Sequence, residues 1–235
     1  MTDKPVFWKT TEKNIYYRIE ALEAVCDRVI EELPWPENVQ TLSFLFSDSG
    51  PDEYAALRRN ISGRYGARLV YFAEKEKLII PKCAYTAANI RIKKAGSLDE
   101  VRQLYLSTVL QVFNEEFPGE LPDSRMKFSE NVARNYLSSE KSLCLAQGER
   151  VSGLVTVVGI KDYLERPVDC VNWVWLDKSL GLPERIAAQC LIVKWLKQIV
   201  AQRVNCYIDS FNFRSQRFFR RIGFVPLCLN IERKS

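Results

Sequence analysis

The stretch NFRSQRFFRRIGF, residues Asn212 to Phe224, decides the reading of this chain. It follows an apolar run, Val204 to Ser210, and precedes another, Phe224 to Ile231, so a basic helix is bracketed by two strands. Gly223 stands where a helix C-cap belongs. Outward from there, Asp169 to Leu176 reads as a strand with Trp173 and Trp175 on one face, and Pro183 to Val200 as a helix whose first position suits proline. A helical crossover separates the strands at 169 and 204, which are therefore expected as parallel neighbours. Leu143 to Gln147 and Val151 to Val158 make a hairpin around Gly148-Glu149-Arg150. Phe128 to Leu137 and Ser97 to about Phe117 are helical, the second opened by Ser97 and Glu100 at capping-box spacing. With Asn89 to Lys93 as a strand, the order from Asn89 is β-α-α-β-β-β-α-β-α-β.

The first third reads as a smaller α/β unit. Ile19, Leu22, Val25, Cys26, Val29 and Ile30 recur at near-helical spacing, which predicts a helix over Ile15 to Glu32, ended before Pro34 and Pro36. Thr41 to Phe46 is a buried strand, Pro51 to Ser62 a helix, and Leu69 to Ala73 and Leu78 to Ile80 two further strands. Pro81 to Ala88 reads as a linker, so the expected division is 1–87 and 88–235.

Composition removes several classes of function. Among 235 residues there is no histidine, which excludes Ser-His, Cys-His and histidine-metal chemistry. Seven cysteines, at 26, 83, 144, 170, 190, 206 and 228, are scattered singly, as expected of reduced thiols without a zinc site. The net charge of +5, from 34 basic and 29 acidic side chains, argues against a nucleic-acid binder but suits a small anionic ligand. Charged residues interrupt every apolar run, so the expectation is a soluble, cytoplasmic protein with no membrane partner.

The 212–224 stretch and the element order before it resemble the GNAT superfamily of acyl-CoA-dependent N-acyltransferases, whose pattern here is strand, Asn, helix, Gly-Phe, strand. Asn212, Ser215, Gly223 and Phe224 carry that likeness. It implies an α/β fold with a mixed, mostly antiparallel sheet flanked by helices, preceded by a smaller half-domain. Asp52 to Ile80 repeats the ending in weaker form. A truncated unit followed by a complete one is similar to the arrangement in TDP-fucosamine acetyltransferase. The resemblance implies acetyl-CoA as cosubstrate, no metal, and a small-molecule amine acceptor; a homodimer is compatible with it.

Residue by residue, the resemblance places pantetheine along Val174, Trp175 and Leu176, in a gap near Asn172 and Ile208, with backbone N–H groups there as oxyanion donors. Pyrophosphate would meet Gly181 and Arg185 at a helix start, and Asn212, Ser215 and Phe219 would line the cofactor from the last helix. This chain departs from the pattern twice. Only Gly181 survives of the Gly-rich phosphate loop, with Pro183 and Glu184 following it, although Lys178 is near; and Phe219 stands where many members carry a proton-donating Tyr. Tyr207, Ser210 and Ser215 are the substitutes near in sequence. Asp169, Glu165 and Asp209 are candidate bases, while Arg214, Arg217 and Arg221 share one helical face. A CoA-binding or regulatory module without turnover is the main alternative, and RNA binding through Arg214 to Arg221 a weaker one.

Overall fold

A computed structural model describes residues 4–20, 25–46, 61, 64–82, 89–93, 96–117 and 123–233. The fold is mixed α/β, with mostly antiparallel strands and flanking helices. The chain divides into two compact units, Met1–Ala73 with Asn205–Ser235, and Glu74–Val204.

The strands lying wholly or mostly in the first unit are β1 (Val6–Thr10), β2 (Asn14–Ile19), β3 (Thr41–Phe46), β4 (Tyr65–Glu74), β9 (Arg203–Asp209) and β10 (Val225–Arg233). Their order across the sheet is β1-β2-β3-β10-β4-β9. Strand β10, from the end of the sequence, pairs antiparallel with both β3 and β4 from its beginning. Strands β2 and β3 run parallel, joined through the short helix α1 (Asp27–Glu32), because a parallel pair needs a crossover.

The helix predicted over Ile15 to Glu32 is corrected by this arrangement. Ile15, Tyr16, Tyr17 and Ile19 lie buried in β2, and helix begins only at Asp27. A strand covered on both faces reads as a nearly continuous apolar run, so Ile15 and Ile19 imitate a helical repeat. Strand β1 was not predicted at all. The strand expected over Leu78 to Ile80 is also absent: Lys75–Lys77 wind a 3-10 turn whose first amide donates to the Gln202 carbonyl at 2.8 Å, and the chain then runs with Leu78 buried but Ile79 and Ile80 exposed. Most of the predicted 51–62 helix and of the 81–88 linker lies outside the described residues.

The second unit holds β5 (Ile90–Lys93), β6 (Ser142–Gln147), β7 (Arg150–Lys161) and β8 (Pro167–Leu176), an antiparallel run in the order β8-β7-β6-β5. Its helices are α2 (Leu98–Glu116), α3 (Asp123–Asn135) and α4 (Leu182–Ile199). The capping box is present: the Ser97 hydroxyl accepts from the Glu100 amide at 3.2 Å and the Glu100 carboxylate accepts from the Ser97 amide at 3.0 Å. Arg102 then fastens α2 to the end of α3, donating to the carbonyls of Ala133 and Arg134 at 2.8 and 2.9 Å. Helix α2 is thus held at its start and across its first turns, which sets where its middle meets the sheet.

Candidate functional site

Strand β8 is irregular at one position. Thr156 of β7 stands opposite Trp173 and Val157 opposite Val171, so Asn172 has no opposite number and forms a bulge. The burial pattern records the same slip, since Val168 and Cys170 are buried before it and Val171 and Trp175 at and after it. A one-residue slip turns the later side chains onto the other face.

The bulge turns two consecutive side chains toward α2. Asn172 donates from Nδ2 to the Tyr105 hydroxyl at 3.1 Å, and the Trp173 indole donates to Thr108 Oγ1 at 3.0 Å. Tyr105 and Thr108 are three apart on α2 and so share a face. The Thr108 hydroxyl in turn donates a hydrogen bond to the Tyr105 carbonyl at 2.9 Å, and the Tyr105 and Trp173 rings meet edge to face at 6.1 Å. Both α2 residues are buried, so these bonds are shielded from water. Beside Trp173, the Thr156 hydroxyl is fully buried with no hydrogen-bond partner among the described residues. Neither Tyr105 nor Thr108 was foreseen as part of a site. The available signal was a polar pair three apart on the inward stripe of a helix otherwise led by Val101, Val109 and Phe113.

The predicted pantetheine residues close β8. Val174 pairs with Val155, Trp175 with Leu154, and Leu176 with Gly153. A Cβ on Gly153 would lie 2.9 Å from Leu176 Cδ2 and 3.2 Å from Leu145, so only glycine lets the Leu176 side chain cross at that point. Upstream, Asp169 is engaged by Lys141 Nζ at 2.6 Å and by the Ala201 amide at 3.2 Å. Glu165 sits in the turn before β8 at φ 62°. Burial pushes the Cys170 thiol up to about 12, which removes it as a thiolate base.

After β8 comes the loop expected to meet pyrophosphate. Gly181 is the N-cap of α4 and offers no side-chain cap. Asp177 accepts from the Ser179 amide at 2.8 Å and from Arg150 at 2.5 Å; burial opposes its ionisation, but these bonds together hold its carboxyl below the usual range. Lys178 reaches Glu115 at 2.9 Å and Glu116 at 3.6 Å, and the bond to Glu115 raises its pKa while lowering that of Glu115. Arg185 donates to the carbonyls of Leu180 and Lys178, both at 2.8 Å.

In the first unit, Asn212 is the N-cap of α5 (Phe213–Arg221), its side chain accepting from the Ser215 amide at 3.0 Å. Gly223 closes the helix at φ 99°, a left-handed cap that favours glycine. Phe219 is buried against Phe218 and Phe224, with ring centroids 5.1 and 5.0 Å away, and so belongs to the core. The buried Gln216 side chain donates to the Ser210 and Asp209 carbonyls at 3.0 and 3.4 Å, stitching α5 to the end of β9. On β9, Tyr207 is exposed, as are Arg214, Arg217 and Arg221 on α5.

Among the described residues no cluster of carboxylates or cysteines could hold a metal ion, and no helix is long and apolar enough to cross a membrane. No known protein family and no curated protein matches the chain by sequence. Solved structures similar to it include a functionally unknown conserved protein from Staphylococcus epidermidis, with TM-score 0.48, 11% identity, and 94% of this chain and 85% of that one covered. A GCN5-related N-acetyltransferase from Kribbella flavida has TM-score 0.46 and 11% identity over 94% of this chain and 81% of that one. Another, from Anabaena variabilis, has TM-score 0.45 and 10% identity over 97% of this chain and 57% of that one. The solved structures similar to this chain thus include GNAT-type N-acetyltransferases.

Proposed function

We propose that this chain is an acyl-CoA-dependent N-acyltransferase, passing an acetyl group from acetyl-CoA to a primary amine of a small molecule such as an amino sugar. The sequence division at 87–88 into a truncated and a complete GNAT-like unit, similar to TDP-fucosamine acetyltransferase, belongs to this proposal. The observation that carries it is the bulge at Asn172, held in place by α2. A bulge interrupts the ladder to β7, and in this reading a main-chain amide at the bulge serves the thioester oxygen.

In the proposed step the amine lone pair attacks the thioester carbonyl carbon. The oxyanion is held by main-chain N–H groups of β8, and Val174 to Leu176 pair with the pantetheine amides. The C–S bond breaks as the amide forms; the amine proton leaves to a base or water, and the thiolate takes a proton. A thiol with a reference pKa of about 8.5 departs without a dedicated acid, which is how Phe219 is accommodated. Asp169, Tyr207 and Ser215 are the candidate proton-handling groups. Asp169→Asn, Tyr207→Phe and Ser215→Ala test each, because loss of a true acid or base costs about 10²- to 10⁴-fold in rate.

The deciding experiment is a structure with acetyl-CoA bound, alongside thiol release with a panel of primary amines. Pantetheine lying along β8 with its carbonyl at the Asn172 bulge is the expected result; an arm bound elsewhere overturns it. The second reading, a donor-binding module without turnover, is favoured by Phe219 being a core side chain and would show binding with no acetylated amine.

A further inference from the structure

The likeness to acyl-CoA enzymes leads one to expect pyrophosphate at the start of α4, and the residues there do not fit it. A helix start attracts anions through unpaired first-turn amides, yet Pro183 has none to offer. Glu184 is closer still: a Cβ built on the N-cap Gly181 would lie 2.6 Å from its Oε2, so the chain's own carboxylate stands against the positive end of the helix. The two cations able to offset it are already committed. Arg185 faces the Leu180 and Lys178 carbonyls, and Lys178 is paired with Glu115 and Glu116. Arg150 is paired with Asp177. Three cations (Arg150, Lys178, Arg185) therefore meet four carboxylates (Glu115, Glu116, Asp177, Glu184), and a pyrophosphate would enter a cluster of formal charge −1.

Resting on the acyltransferase reading, we infer that the donor is recognised through its acyl group and pantetheine arm, and that the diphosphate of coenzyme A gains no hold at the start of α4. The donor class is an acyl-pantetheine thioester, of which acetyl-CoA is one member. Glu184 is a specificity-determining residue, since its carboxylate takes the position an anion would occupy.

Calorimetric titration of the full chain with coenzyme A and with pantetheine, which lacks the nucleotide and its phosphates, tests this. In the wild type the two affinities are expected within about threefold. Glu184→Gln removes one repelling charge a few ångströms away and should tighten coenzyme A by about tenfold while leaving pantetheine unchanged. The pair Glu115→Gln and Glu116→Gln, which releases Lys178, should act in the same direction. Coenzyme A binding more than about a hundredfold tighter than pantetheine to the wild type, or no response to Glu184→Gln, overturns the inference. Failure of the acyltransferase reading looks different: neither acetyl-CoA nor S-acetylpantetheine yields acetylated amine, whatever these affinity ratios are.

Discussion

Tyr105 and Thr108, in the middle of α2, hold β8 through neutral buried hydrogen bonds, whereas Glu115 and Glu116, at its end, hold the loop before α4 through partly exposed charges. The same helix thus does two kinds of work. Buried donors and acceptors are costly to leave unmatched, so the first contact sets geometry and carries stability. Solvent screens the second, which contributes little to stability but sets the charge at the start of α4.

The largest effect expected from disturbing this contrast is at the buried contact. Thr108→Val keeps the shape but leaves the Trp173 indole N–H without its acceptor, which should cost about 2 kcal/mol and be visible as a lower denaturation midpoint with altered tryptophan emission. An unchanged midpoint would place Trp173 in water and remove the argument that β8 is prepositioned. Next comes the start of α2, where Ser97→Ala removes half of the capping box and should cost about 1 kcal/mol by the same measurement.

A smaller effect is expected at Asp177, and it depends on pH. Its carboxyl is held below the ordinary value in the folded chain, so the stability it adds is present above the unfolded pKa of about 3.9 and is lost as pH falls through the lower folded value. The midpoint difference between wild type and Asp177→Asn should therefore be constant near neutrality and shrink only in acid. A difference that instead grew in acid would reverse the assigned direction. Smallest of all, Glu115→Gln should leave the midpoint unchanged within error, because both partners of that ion pair are half-exposed and water screens them. A clear loss of stability there would erase the distinction between the two ends of α2.

Much of this was legible in the residues because the deciding interactions are local. The capping box at Ser97 and Glu100, the hairpin around Gly148 and the helix between Asn212 and Gly223 each depend on side chains within a turn of one another. The failures lie where the partner is distant. Ile15 to Ile19 became a strand because β3, reached by a crossover, pairs along it, and nothing within that segment records the pairing. Gln202 draws the chain into a turn at Lys75 from more than a hundred residues away.

At the site the same line divides two kinds of knowledge. That a helix would begin near Gly181 with Pro183 and Glu184 in its first turn, and that Phe219 could not donate a proton, followed from residue identity alone, since side-chain chemistry does not depend on the fold. That Arg185 and Lys178 are already committed, that Asn172 leaves the ladder, and that Tyr105 and Thr108 receive the side chains the bulge turns toward them, were decided only by tertiary structure. A hydrogen bond between helix and strand depends on relative placement, which the spacing of residues along one segment does not encode.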